Sequence, residues 1–387
     1  MMPYGRQLID EEDIQAVVDV LRSDRLTQGP LPALFEQALC EYAGAAYAAV
    51  CVNGTAALHL AMLALGIKQG DRVWTSSLSF VASANAALYC GAEVDFVDID
   101  ADSFNISLEA LKQKLAQARS NHALPSALVL VHMAGNPAML AELAQLKAEY
   151  GFSIIEDACH ALGASYQGNK IGSCTYSDLC VFSFHPVKSI TSGEGGAVLS
   201  NDPSLIERVR LYSSHGITRD ISRFQTENPG PWVYEQQLLG YNYRISDIHA
   251  ALGLSQLKKL DQLVTKRAQL VSNYQQSLAD LPLGFQRIDR SNSSAHHLFI
   301  ILLPDANDDA MRRELYAFLA RNKISAQVHY IPIHTQPYYR QRYPEKQWSL
   351  PETERFYRRS LSIPLFPGMN QEDVSQVAST IRRFFVS

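Results

Sequence analysis

Cysteine is scarce and unpaired in this chain, with six residues among 387 and no C-x-x-C spacing. A disulfide framework is therefore not expected, and a chain of this length buries enough apolar surface to fold without one. Most of the six (Cys40, Cys51, Cys90, Cys159, Cys174 and Cys180) sit among apolar neighbours, where a free thiol behaves as a small core residue. Long apolar runs are missing too. Nothing approaches the roughly 20 residues needed to span a bilayer, and residues 1–13 hold no apolar stretch of signal-peptide length. Both absences point to a reduced, cytoplasmic protein without a membrane partner. Positive charge is short as well: 34 Lys and Arg against 39 Asp and Glu argue against a nucleic-acid partner. The phosphate-binding signatures G-x-G-x-x-G and G-x-x-x-x-G-K-[ST] do not occur, which disfavours a dinucleotide or a nucleoside triphosphate as cofactor. His329 and His334 flank a proline in a loop-like stretch, unlike H-E-x-x-H on a helix, so no metal is expected.

What is present is 47 % hydrophobic residues spread along the whole chain, which excludes a disordered protein. Strand-like runs at 72–75, 94–98, 128–132, 153–156, 179–182 and 197–200 alternate with helical patterns at 55–65, 82–90, 108–119, 139–150 and 203–213. The stretch Ala127-Leu128-Val129-Leu130-Val131 is apolar at every position, as in a parallel strand buried on both faces. Such alternation predicts an α/β fold with a mainly parallel sheet and crossover helices. From 246 to about 281 the pattern is helical and predicts one long helix. Beyond it, a strand at 298–303, a helix at 308–321, a strand at 325–329 and a closing helix at 371–385 form a smaller α+β unit. The expected division is a large domain with an N-terminal arm over 1–250, then a linking helix and small domain over 251–387. The Pro- and Tyr-rich stretch 330–344 reads as a loop.

Three short segments carry the chemistry. In Asn53-Gly54-Thr55-Ala56-Ala57-Leu58 a glycine and a small hydroxyl residue open an apolar helix, whose free N–H groups make an anion site. A plain capping role for Thr55 is the alternative. In Ile154-Ile155-Glu156-Asp157-Ala158-Cys159-His160 an apolar strand ends in two acids. A carboxylate there points into the crevice where parallel sheets bind ligands; the alternative is an Asp157 that only anchors a loop. In Ser183-Phe184-His185-Pro186-Val187-Lys188, followed by Ser192-Gly193-Glu194-Gly195-Gly196, a lysine stands between a strand and a glycine-rich turn. It is a candidate Schiff-base amine, or else a solvated surface lysine. Together, an anion cradle, a strand-end Asp157 and Lys188 31 residues further on are what pyridoxal 5′-phosphate (PLP) requires. The amine bonds the cofactor, the acid pairs the pyridinium nitrogen, and the helix start holds the phosphate. An ionised acid keeps that nitrogen protonated, so the ring can accept electrons.

With these segments in place, the sequence resembles the PLP-dependent nucleotide-sugar aminotransferases of the DegT/DnrJ/StrS group nearly end to end. The resemblance is carried by Leu26-Thr27-Gln28-Gly29-Pro30, the Gly54-Thr55-Ala56 turn, Glu156-Asp157-Ala158-Cys159-His160 and the segment ending in Lys188. It continues through Gly193-Glu194-Gly195-Gly196, Leu239-Gly240-Tyr241-Asn242-Tyr243-Arg244 and Val328-His329-Tyr330-Ile331-Pro332-Ile333-His334. It implies an aspartate-aminotransferase-like architecture (PLP fold type I) and a homodimer with shared active sites. By resemblance, Lys188 bonds the cofactor and moves protons, while Asp157 meets the ring nitrogen. His160 lies near the ring or its 3′-oxygen, and Phe80 stacks on the ring unless it only packs the core. Thr55, Ala56 and Ser183 match phosphate-binding positions, and Asn242 matches one that reaches over from the other subunit, a helix-capping turn being its alternative. Tyr4, His329, Tyr330 and His334 are placed near the sugar, a surface loop being the alternative for the histidines. His296-His297 open a strand whose alternating faces let at most one point inward; neither is given a role.

Two departures from the group matter. Asn136-Pro137-Ala138-Met139-Leu140 lacks the acid that relatives carry after the glycine of His132-Met133-Ala134-Gly135, so a locally altered loop is expected. Lys188 stands where the deoxygenating members of the group have histidine, which disfavours that branch. The resemblance thus implies transamination of a nucleotide-linked keto sugar with L-glutamate as amine donor. Pro3-Tyr4-Gly5-Arg6-Gln7, Trp74-Thr75-Ser76 and Phe80-Val81-Ala82-Ser83 are similar to the branch that aminates C4 of a UDP-linked 2-acetamido-2,6-dideoxy-4-ketohexose in pseudaminic acid synthesis. A 3-aminotransferase or a PLP-dependent dehydratase on another nucleotide sugar is the enzymatic alternative. A non-catalytic regulator that binds PLP or sugar is the other, and the presence of both Lys188 and Asp157 speaks against it.

Overall fold

A computed structural model describes residues 1–227, 230–305 and 308–386. In chain order its first strands are β1 (Tyr47–Cys51), β2 (Arg72–Ser76), β3 (Glu93–Val97), β4 (Ala127–Val131) and β5 (Ser153–Asp157). A two-residue hairpin, β6 (Ser165–Tyr166) and β7 (Asn169–Lys170), separates these from β8 (Leu179–Ser183) and β9 (Gly196–Ser200). Apart from the hairpin they form one seven-stranded sheet in the order β1-β9-β8-β5-β4-β2-β3. Only β9 runs against its neighbours, β8 and β1; the other pairings are parallel.

Successive residues of these strands feed two separate cores. Leu128, Leu130, Ile154 and Phe182 face one, while Val129, Ile155, Leu179 and Val181 face the other. This double burial is why the strands read as unbroken apolar runs. The first core is closed by α2 (Leu31–Ala43), α5 (Leu108–Ser120) and α6 (Leu140–Tyr150). The second is closed by α3 (Gly54–Ala64), α4 (Ala82–Tyr89) and α7 (Pro203–Ser213).

The helical stretch expected from 246 onward is two helices, α8 (Asp247–Leu257) and α9 (Leu260–Ser277). The break falls at Lys259, whose ammonium donates to Asp10 (2.6 Å) and to the fully buried Asp13 (2.7 Å) of α1 (Glu11–Leu21). The strand expected at 325–329 is absent; Gln327 makes a single bridge to Ser362, and Ile324 one to Met2 of the N-terminal arm. The C-terminal sheet is instead β12 (Gly284–Phe285), β13 (Phe299–Leu302) and β14 (Ser360–Ile363), all antiparallel; a further two-residue pair, β10 (Ile217–Thr218) and β11 (Glu235–Gln236), precedes α8. Around it pack α10 (Ala310–Arg321), α12 (Pro351–Arg359) and α13 (Gln371–Val386). The stretch read as a loop after Tyr330 contains a 3₁₀ turn, Ile333–Thr335, and the short α11 (Pro337–Arg342).

The loop after Gly135, expected to be locally altered, is held by Asn136 itself. Its amide donates to the carbonyls of Ser103 (3.3 Å) and Arg287 (3.1 Å), and its own carbonyl accepts from Asn105 (3.0 Å). Leu78 and Met133 of the large sheet's loops meet Leu298 and Ile300 in a further apolar cluster, which closes the space above the sheet's carboxyl edge. No helix among the described residues is long and apolar enough to cross a membrane.

Candidate active site

The carboxyl ends of β5 and β8 are neighbours, with Asp157 in register with Val181. Asp157 therefore ends its strand beside Ser183, and the turn after Ser183 brings back Lys188. From the opposite side comes the start of α3, where the Asn53 side chain caps the helix by accepting from Ala56 N (2.8 Å). Gly54 is required here. A Cβ on it would lie 2.8 Å from Ser183 Cβ and 3.4 Å from Cys159 Sγ, so any side chain would push the helix start off the strand end. The result is a cavity of about 640 Å³ whose walls include Thr55, Phe80, Asp157, His160, Ser183 and Lys188. A larger groove of about 1130 Å³ lies between α1 and α8, but its walls carry surface acids such as Glu11 and Asp19 and no convergent set of donors.

Burial governs the electrostatics. The Lys188 amine is pushed below the usual lysine range by burial, an effect partly offset by nearby Cys159 and Asp157. His160 is held well below the usual imidazole range by burial and then by Lys188 and His329. His329 is pushed down to about 3, again by burial first and Lys188 second. Both imidazoles are neutral at pH 7. His160 Nε2 meets the Tyr330 hydroxyl at 3.0 Å, and its Nδ1 is buried without a partner. Burial also raises the Tyr330 phenol, which keeps it a neutral hydrogen-bonding group. The ring of Tyr4 packs 5.3 Å from that of His329, so the N-terminal arm forms one wall. Phe80 is 56 % exposed and lines the cavity, and its ring centre is 6.0 Å from that of Tyr330.

The structure brings Lys188, Asp157, Thr55, Phe80, His160, Ser183, Tyr4, His329 and Tyr330 together around one cavity. Three expected residues lie outside its walls. Ala56 packs into the core, and its N–H is already taken by Asn53. His334 is held between Ser77 Oγ (2.7 Å) and Glu354 (3.3 Å), turned away by the 3₁₀ turn it occupies. Asn242 is exposed, bridges Ser214 and is not among the walls of this chain's own cavity. Of the adjacent pair, His297 lines the cavity, its ring 4.4 Å from that of His160, while His296 does not. Ser79, Cys159, His185 and Glu194 also line it and were not singled out from the sequence as site residues. Ser79 stands one residue before the segment Phe80-Val81-Ala82-Ser83, and Cys159 lies inside the segment that ends in His160.

A phosphorylated pyridine aldehyde fits these residues. The helix start with Thr55 and Ser183 forms a cradle that a Cβ on Gly54 would fill, the carboxylate and amine face each other across the cavity, and the orphaned His160 Nδ1 waits for a polar partner. Among known proteins, residues 7–382 match the DegT/DnrJ/EryC1/StrS aminotransferase family. A Campylobacter jejuni protein named UDP-4-amino-4,6-dideoxy-N-acetyl-beta-L-altrosamine transaminase is 40 % identical, the match covering 98 % of this chain and 96 % of that one. Helicobacter pylori PseC, described as an aminotransferase in the biosynthesis of pseudoaminic acid, superimposes with a TM-score of 0.89 at 33 % identity over 99 % of both chains. The PMP form of Streptococcus pneumoniae Spr1654, described as a sugar aminotransferase, superimposes equally well, TM-score 0.89, at 26 % identity over 99 % of both chains.

Two outcomes follow from this geometry. Gly54→Ala should weaken PLP binding about 10-fold or more through overpacking of the cradle, with circular dichroism unchanged; unaltered affinity in a fluorescence titration would show that the cradle does not hold the phosphate. Capture of PLP by the apoenzyme needs a neutral Lys188. Its rate should rise with pH and level off below the pH of about 10.4 at which an ordinary lysine is half neutral, because burial disfavours the ammonium. Stopped-flow absorbance across pH tests this, and a rate still climbing at that pH contradicts it.

Proposed function

The chain belongs to the DegT/DnrJ/EryC1/StrS aminotransferase family and is a PLP-dependent aminotransferase of nucleotide-linked sugars; from that premise we propose that it moves the amino group of L-glutamate to C4 of a UDP-linked 2-acetamido-2,6-dideoxy-4-ketohexose, as in pseudaminic acid synthesis. The observation that carries the C4 assignment is the name of the 40 % identical relative, whose match runs almost from end to end. When bound, PLP supplies a carbon that accepts the donor's amine and a ring that accepts electrons.

The protein's part is to hold and to move protons. The Thr55 and Ser183 hydroxyls and the N–H groups at the start of α3 hold the phosphate. Asp157 holds the ring nitrogen in its protonated form, and Phe80 covers one face of the ring. The Nζ of Lys188, made less basic by burial, takes the proton from Cα of glutamate in one half-reaction and returns a proton to C4 of the sugar in the other. His160, neutral and bonded to Tyr330, offers its free Nδ1 near the ring oxygen. Tyr4, His329 and Tyr330 line the side on which the sugar enters. Asn242, exposed on its own chain, completes the phosphate site of a second copy, so the working unit is a homodimer. The cysteines are free, in keeping with a reducing compartment, and we place the enzyme in the cytoplasm.

The substrate assignment is tested with ¹⁵N-glutamate and a panel of UDP- and dTDP-linked 3-keto and 4-keto sugars, the products being identified by mass and NMR. The expected result is ¹⁵N at C4 of the UDP-linked acetamido sugar. Label only at C3, or only on dTDP-sugars, would overturn the assignment and leave the aminotransferase itself standing.

A further inference from the structure

Asp157 does not stand alone under the cavity. Its Oδ2 accepts a hydrogen bond from Ser83 Oγ at 2.5 Å, and Ser83 Oγ is in turn 2.6 Å from Ser79 Oγ. All three are buried, with exposures of 7 % for Asp157, 0 % for Ser83 and 3 % for Ser79. An ionised carboxylate only accepts, so the single hydroxyl proton of Ser83 goes to Asp157, and the proton of Ser79 goes to Ser83. The chain of donors has one direction, and it ends on the acid. The other carboxylate oxygen accepts from Cys159 N, at 3.3 Å, and the Cys159 thiol is a further side-chain partner. Among the described residues Ser83 makes the shortest hydrogen bond to Asp157. One turn of chain supplies all of this: between the two serines stands Phe80, which the same turn presents to the cavity. The residues that cover the ring and those that grip its acid are thus built on a single segment, running from the loop after β2 into the first turn of α4.

We propose that Ser83, oriented by Ser79, is a positioning residue that keeps Asp157 ionised and aimed at the ring nitrogen, so that the nitrogen rather than the acid carries the shared proton. A hydrogen bond to the charged form of an acid favours that form, and in a buried site such bonds reinforce one another. Without Ser83 the charged pair of pyridinium and carboxylate loses its strongest support relative to the neutral pair. The proposal rests on the reading that Asp157 meets the ring nitrogen.

The test uses holoenzyme loaded with PLP labelled with ¹⁵N in the ring. In the Ser83→Ala protein the ring-nitrogen signal should move toward the position of an unprotonated pyridine, and kcat should fall about 10-fold or more, as for a lost bond to a charged group. Ser83→Thr, which keeps the hydroxyl, should restore both readouts. Ser79→Ala should move the signal in the same direction by less. A ring nitrogen that stays protonated in Ser83→Ala overturns the proposal, as does a Thr variant impaired as badly as the Ala variant. If Ser83→Ala fails to load PLP, Ser79→Ala decides, and an unmoved signal there overturns the proposal. Asp157→Asn run in parallel separates the two levels. A nitrogen still protonated with asparagine present means Asp157 is not its partner. A nitrogen deprotonated in Asp157→Asn but not in Ser83→Ala refutes the role of Ser83 alone.

Discussion

The start of α3 lies against the end of β8 with no room for a side chain between them; a Cβ on Gly54 would fall 2.8 Å from that of Ser183. Much of the site is a consequence of this approach. Strand β8 is fixed between β5 and β9, so whatever touches its end is placed relative to Asp157 on one side and to the glycine-rich turn on the other. The helix start brings unsatisfied N–H groups, the strand end brings a hydroxyl, and the turn that follows brings an amine. A parallel sheet opens a crevice at its carboxyl edge in any case. Here the crevice is a cavity of about 640 Å³, closed on one side by the contact between Gly54 and Ser183.

The second constraint is burial. Imidazoles, a phenol and an amine line one cavity, and burial is the first cause of every shift among them. The histidines stay neutral, so no second cation competes with Lys188 for Asp157. In this site Asp157 accepts from Ser83 Oγ and from Cys159 N. A carboxylate at a strand end can be read from sequence; the hydroxyl pair that supports it arrives from another segment and exists only once the chain is folded.

The same distinction explains how far the sequence could be read. The central strands were legible because burial on both faces makes them continuous apolar runs, and the three chemical segments were legible because each sits at an element boundary. Edge strand β1, Tyr-Ala-Ala-Val-Cys, is short and rich in alanine, so it lacks a strand's usual signature. The break between α8 and α9 has no proline or glycine; it is set by Lys259 reaching back to Asp10 and Asp13, more than 200 residues away. Strand β14 was missed because its partner, β13, lies far away in sequence, and because residues 325–329 have the better local pattern yet find only one bridge. His334 carries the same side chain as His329 five residues earlier, but the 3₁₀ turn it occupies sends it to Ser77 and Glu354. A spacing in sequence does not say on which side of a turn a side chain emerges.

What joins these parts into an account is the proposal that one lysine, made less basic by burial and sharing a cavity with one acid, is the cofactor's covalent anchor. The most direct measurement reduces the PLP-loaded protein with borohydride, digests it and maps the pyridoxyl group by mass spectrometry. The account predicts the label on Lys188 and on no other lysine. A label on another lysine, such as Lys170 or Lys114, with Lys188 unmodified would contradict it.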